Sequence, residues 1–364
     1  MKPYQVHLFE GGGKIPVAAQ AEPVFVYGDK RYLNFLNFDC FNLRNSDYLK
    51  EATRLHIEAR GIDSVEGRGE LMNKLQEMMA NIKDIESLLV FPDEIAALFA
   101  LFSICGPQTN FFCDYDTSLS VISVLQHRNI EYYSHRDLEQ LNNILNMKTG
   151  KVIVIDGLYE WIGNIGPVNE LITIARDNEC IVVANEINSF GLLGRDGRGF
   201  IDLFNAYGDV VFEIGSFNKY FGGFGCYLAA KKYLTRKIEE NIADLIEPMP
   251  QCMLATNIAG LEGVIQGKID KNKNEKLWKN SRYFSSRLRQ DGFKTISDTP
   301  IAVIAFSNNE EADEFRKRLF NEQIIVAQNK ERIRLCISIE HSKEDLDFCL
   351  DRFEAIGKEL GILT

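Results

Sequence analysis

Between residues 86 and 230, short apolar runs of strand length alternate with helical segments, and this limits the fold more than any other feature of the chain. The runs are ESLLVF, TNFFCD, IEYYSH, KVIVIDG and CIVVAN, followed by VVFEIGS and GCYLAA. Between them, DEIAALFALFSI, SLSVISVLQHR, DLEQLNNIL and VNELITIARDN read as helices. A strand that is apolar along its whole length has to be covered on both faces, so the alternation predicts an α/β fold with a mostly parallel sheet sandwiched by helices. Ligands of such sheets bind beyond the carboxyl ends of the strands. Those ends carry Asp114, Asp156-Gly157, Asn185-Glu186, Ser216 and Lys219.

The flanks differ in texture. EPVFVYGDKRYLNFLNF reads as two strands around a Gly-Asp turn. SDYLKEATRLHIEAR reads as a helix that begins at Ser46 and stops at Gly61, and GELMNKLQEMMANI as a second amphipathic one. Past Lys231 come the helical stretches KYLTRKIEENIADLIE, ATNIAGLEGVIQG and a highly charged third. Three strands, FKTIS, IAVIAF and RIRLCISI, then alternate with helices EEADEFRKRLF and KEDLDFCLDRFEAIGKEL. The expected organisation is an N-terminal arm (1–45), a large α/β domain (46–235) and a small C-terminal α+β domain with its connecting helix (236–364).

A net charge of −11 over 364 residues argues against a nucleic-acid or anionic-membrane surface. Eight cysteines without a CxxC pair fit reduced thiols better than a disulfide framework or a zinc site, and no metal is expected. MKPYQVHLFEGGGK has no apolar leader core and IAALFALFSICG is too short to cross a bilayer, so the expectation is a soluble cytoplasmic protein without a transmembrane segment. Asp156 and Glu160 read as loop and cap residues, and His341 as a structural residue at a helix start.

Lys219 lies in SFNKYFGGFG, just past a strand. A lysine amine facing the crevice can form a Schiff base with a carbonyl, whereas an arbitrary loop lysine is usually a solvated cation. The neighbours decide between these. NFLNFDCFNL (34–43), SHRDLEQL (134–141), DGLYEWIGNIGPVNELITIA, NEINSFGLLGRDGRGF, GSFNKYFGGFG and RIRLCISIEHSKEDLD occur in the order of six motifs of the α-oxoamine synthases. The chain resembles that family of fold-type I pyridoxal-phosphate enzymes, which includes aminooxononanoate synthase and serine palmitoyltransferase.

The resemblance implies a seven-stranded-type sheet, a dimer, and decarboxylative condensation of an amino acid with an acyl thioester. Lys219 would be the Schiff-base lysine, with Arg332 and Asn37 on the substrate. Asn185 stands where the family has the aspartate that holds the ring nitrogen, Asn188 where it has a histidine, and Ser118 where it has the ring-stacking histidine. Ser216 keeps the family's position before the lysine. DEIAAL puts Asp93 and Glu94 where the family's SGYAAN opens a helix on the cofactor phosphate, and two carboxylates there repel a phosphate. Arg68 is the surviving cation of the shortened segment GIDSVEGRG. Retained Lys219 implies an active enzyme with weakened or altered cofactor use. The lost residues imply the alternative, a non-catalytic partner subunit of a serine-palmitoyltransferase-like heterodimer.

Overall fold

The computed structural model describes residues 22–62, 68–242, 245–269 and 272–363; residues 1–21, residues 63–67 of the segment after Gly61 and the side chain of Arg68 lie outside them. The chain divides into two compact units: residues 46–159 with 165–270, and residues 1–45 with 160–164 and 271–364.

The larger unit is built on a seven-stranded sheet in the order Ser87–Phe91, Cys226–Ala230, Phe212–Ser216, Ile181–Asn185, Lys151–Asp156, Asn110–Asp114, Asn129–Tyr133. Every neighbour pair is parallel except those made by Cys226–Ala230, which runs against both of its neighbours. Each strand is the apolar run read from the sequence. Phe111, Val154, Val183, Ile214 and Leu228 form one core with Ala97 and Leu101 of the helix Glu94–Ser103. Each large side chain so buried contributes about 1.5–3 kcal/mol. The register sets Asp156 opposite Asn185 and Ser216 opposite Cys226. The polar residues that end the apolar runs therefore gather along one edge of the sheet.

The helix Asp47–Arg60 starts where expected, with Ser46 accepting from the Leu49 N–H and Gly61 ending it at φ 79. SLSVISVLQHR is helical only over Leu119–Leu125. Arg128 is withdrawn from that helix because its guanidinium caps the preceding one, donating to the Phe102 and Cys105 carbonyls. The expected boundary at 235 falls inside the helix Lys232–Ile242, and the larger unit continues through Gln251–Val264. That helix is tied to Asp47–Arg60 by Thr53 and Thr256, whose hydroxyls lie 2.6 Å apart.

In the smaller unit the N-terminal residues do not stand alone. Val24–Tyr27 pairs with Lys30–Asn34, which pairs in parallel with Ile324–Ile325. A second sheet joins Ile301–Ala305, Arg332–Cys336 and Ala327–Asn329. FKTIS is not a strand: the Ser297 hydroxyl takes the Val303 N–H that a strand carbonyl would have taken, and itself donates to the Ile162 carbonyl. His341 is buried beside the helix Lys343–Glu359, its Nδ1 accepting from the Ser338 N–H, while Ser342 and Asp345 form a capping box. All eight cysteines are free thiols. Among the described residues no helix is long and apolar enough to cross a membrane.

Candidate active site

The loop between Phe212–Ser216 and Cys226–Ala230 carries Lys219. Its aromatics are anchors: Phe217, Tyr220 and Phe221 are fully buried, while Lys219 between them is half-buried. Asn257 clamps the glycine turn, accepting from the Phe224 N–H at 2.7 Å and donating to the Phe224 carbonyl at 2.9 Å. A Cβ at Gly223 would lie 2.3 Å from the Asn257 carbonyl oxygen, so the turn needs glycine there. Ser216 is spent on the loop itself, donating to Asn218 Oδ1 and accepting from the Asn218 N–H. With the backbone fixed this way, Lys219 Nζ donates to Asn188 Oδ1 at 2.5 Å.

A chain of polar side chains runs across the neighbouring strand ends. Asn185 Nδ2 donates to Asp156 Oδ1 at 2.6 Å and to Ser118 Oγ at 3.1 Å. Ser118 is 3.2 Å from the Ser120 hydroxyl, which donates to Glu94. Asn185 thus spends both amide hydrogens on the protein, and its oxygen accepts a long 3.3 Å bond from the Ile187 N–H. Ser118 is a member of this chain and presents no ring face.

Asp156 is the last residue of its strand and is 2% exposed, so it is neither a loop nor a cap residue. Burial pushes its carboxyl up to about 8; Asp114 and Glu94 add to the push, while the Thr117 hydroxyl and the Asn185 amide oppose it. Nothing in the sequence marked this residue beyond its place at the end of an apolar run. Asp114 Oδ2 lies 2.9 Å from His135 Nδ1, and with Asp116 these residues bring three ligand-type atoms within 4.8 Å of one another.

The helix Glu94–Ser103 opens on its own acids. Asp93 Oδ1 accepts the Ala96 N–H at 2.8 Å, which takes one of the donors that an anion at this terminus would use. Glu94 is half-buried and held by Ser120. Cys226 reports how these groups meet the lysine loop. Burial pushes its thiol up to about 12, Glu94 adds to that, and Ser216 and Lys219 pull it back.

A second lysine site lies within the same unit. Lys83 is fully buried with Nζ 2.9 Å from Glu186 and 2.6 Å from Glu213. Burial pulls its ammonium down, but the two carboxylates outweigh that and hold it above the ordinary range. Glu186 also accepts from the Phe200 and Ile201 N–H groups, both at 2.9 Å. This explains the GRG motif: Gly199 has φ 99, and a Cβ there would lie 2.2 Å from the Glu186 carboxylate.

In the smaller unit, Arg332 is half-buried and donates to the Trp161 carbonyl at 3.3 Å. Asn37 makes an Asx turn, accepting from the Asp39 N–H at 3.1 Å. Two residues along the strand, Arg334 is buried with Glu160 as its ion-pair partner and lies over the rings of Phe38 at 4.3 Å and Trp161 at 4.6 Å. The sequence reading passed over this second arginine, and placed Glu160 as a cap when it is a counter-ion.

The fold and the lysine corner together define a class. The aminotransferase class I and II family profile matches residues 53–353, and the chain belongs to that family. Within it the chain groups with the α-oxoamine synthases, which are pyridoxal-phosphate enzymes that act on an amino acid and an acyl thioester. It is 30% identical over 318 residues to an 8-amino-7-oxononanoate synthase of Citrifermentans bemidjiense, covering 82% of this chain and 81% of that protein. An enzyme of the same description from Thermosipho melanesiensis is 29% identical over 358 residues, covering 93% and 91%. Serine palmitoyltransferase of Sphingomonas wittichii superposes with a TM-score of 0.84 at 19% identity, covering 92% of this chain and 90% of that one, a likeness of fold.

Proposed function

We propose that this chain is an α-oxoamine synthase: a carbon–carbon bond forms between the α-carbon of an amino acid and the acyl carbon of a thioester, the thiol leaves, and the amino-acid carboxyl departs as CO2. Pyridoxal phosphate, when bound, supplies the carbonyl that captures the amino group and the electron sink that makes the α-carbon nucleophilic.

The residues fit that group at its ring end. Lys219 offers the amine, fixed by Asn188 at 2.5 Å. Asp156 offers a buried oxygen, Oδ2, with no hydrogen-bond partner among the described residues. At the phosphate end the fit is altered, because Asp93 takes one of the donors at the helix start and leaves its own charge there. The phosphate is therefore held less tightly at this helix than a terminus with free N–H groups would hold it.

Within this reading Lys219 carries the cofactor and moves the proton at the substrate α-carbon. Arg332, with its planar fork, takes the substrate carboxylate, and Asn37 contributes to the substrate pocket. The chain works as a dimer, and a homodimer suffices. The observation that carries the reading is the Lys219–Asn188 corner beside the Asn185–Asp156 pair at the strand ends.

The test is titration of the pure protein with pyridoxal phosphate, followed by absorbance, for wild type and Lys219→Ala. A saturable band present in the first and absent in the second supports the reading, and amino acids with acyl thioesters then release free thiol and CO2 in equal amounts. No band at any concentration, with a homologous chain co-purifying, would instead assign the role of a non-catalytic partner subunit.

A further inference from the structure

We propose that Asp156 is the buried acid for the ring nitrogen of the cofactor, sharing one proton with it and taking the place of the carboxylate that position 185 lacks. The inference rests on the cofactor reading above and adds a residue to it. Asn185 is excluded as a donor to that nitrogen, since Asp156 and Ser118 take its amide hydrogens. It is also uncharged, so it does not balance a protonated ring.

Asp156 has what Asn185 lacks. It stands directly across the parallel ladder from position 185, at the same end of the sheet. Asn185 holds one of its oxygens at 2.6 Å, which orients the carboxyl. The other oxygen is buried and makes no hydrogen bond of normal geometry among the described residues, although the Thr117 hydroxyl bears on the carboxyl. A buried carboxyl oxygen without a partner costs about 1–3 kcal/mol, a cost that a hydrogen-bonding nitrogen arriving with the ligand removes.

The surroundings keep the proton available. Asp114 and Glu94 are the acids that bear on Asp156; Cys113, Tyr133 and Tyr159 face it as neutral groups, and Thr117 adds a hydroxyl. Asp114 is itself paired with His135. With a carboxyl that burial raises to about 8, the empty site holds a proton at neutral pH. When a basic ring nitrogen arrives, that proton is shared between oxygen and nitrogen, and none is taken from solvent.

The experiment compares two probes, pyridoxal 5′-phosphate and its isostere in which a C–H replaces the ring nitrogen. Dissociation constants are measured for wild type, Asp156→Asn and the exchanged double variant D156N/N185D. The proposal predicts that wild type prefers the nitrogen-containing probe by about tenfold or more, as a charge-assisted hydrogen bond provides. Asp156→Asn brings the ratio to about one, and the exchange restores it. A ratio unchanged in Asp156→Asn overturns the proposal. A wild-type chain that binds neither probe overturns both the proposal and the reading beneath it.

If Asp156→Asn does not fold, the wild-type pH profile gives the same answer. The preference is flat below about pH 8 and falls by about tenfold per pH unit above it, because the shared proton must then come from solvent. A preference unchanged well above pH 8 overturns the proposal.

Discussion

Lys83 and Lys219 belong to the same unit and differ in what holds them. Lys83 has two carboxylates within 2.9 Å and no exposed surface. Lys219 is half-buried and gives a hydrogen bond to a neutral amide. A buried ammonium between two carboxylates is fixed as a cation, since losing its proton would strand two charges in a medium of low dielectric. Lys219 stands in the loop just past the strand end, where the proposed reading places the cofactor. On the proposed reading, the contrast separates a lysine that holds the fold from a lysine that carries the cofactor.

The largest effect that would break this contrast lies at Lys83. Lys83→Met removes the cation and leaves Glu186 and Glu213 facing each other, which destabilises the protein by about 3–5 kcal/mol in urea unfolding. A loss under about 1 kcal/mol would mean that the cluster is not what holds the loop from Gly199 to Ile201.

His341 extends the comparison to a buried group with no carboxylate in hydrogen-bond contact. Burial lowers it from 6.5 to about 4, with the Pro23 carbonyl opposing. Its folded value lies below its unfolded one, so the stability linked to it is present above pH 6.5 and is lost as the pH falls through 4. That decline amounts to about 3 kcal/mol, and His341→Asn, measured by chemical unfolding across the same range, lacks it.

At Lys219 the expected balance is reversed. Lys219→Ala changes unfolding stability by less than about 1 kcal/mol while abolishing capture of the cofactor carbonyl. A large stability loss would place Lys219 with Lys83 as a structural cation.

The smallest effect is at the helix start. On the proposed reading, Glu94→Gln removes one negative charge from the phosphate end of the site and tightens cofactor binding by about fivefold at low salt, with the gain shrinking as salt is added. An unchanged affinity would show that the phosphate sits away from this terminus.

The sequence displayed some of this plainly. The seven apolar runs became the seven strands because uninterrupted apolar character leaves a strand no other place to go. Ser46 and Gly61 bounded their helix through local hydrogen bonds and a local φ, which any reader of the chain can anticipate. The place of Lys219 in a turn just past a strand was legible from the apolar run before it and the glycines after it.

Asp156 was not legible. An acid that ends a strand inside and one that begins a turn outside look alike in sequence, and only packing against Asp114, Thr117 and Asn185 distinguishes them. The Lys83 cluster was hidden for a related reason, since Glu186 lies 103 residues further along the chain. Of the two arginines in RIRLC, the one enclosed by Phe38, Trp161 and Glu160 was settled by tertiary contacts and by no motif. FKTIS had the composition of a strand, yet the Ser297 side chain displaced the backbone ladder.

The central claim is that one lysine, at position 219, bears the chemistry. It is tested most directly by adding pyridoxal phosphate to the intact protein, reducing with borohydride, and locating the modified lysine by peptide mass spectrometry. The account predicts one stoichiometric adduct in the peptide containing Lys219, with Lys83 unmodified. An adduct scattered over exposed lysines, or none at all, would contradict it.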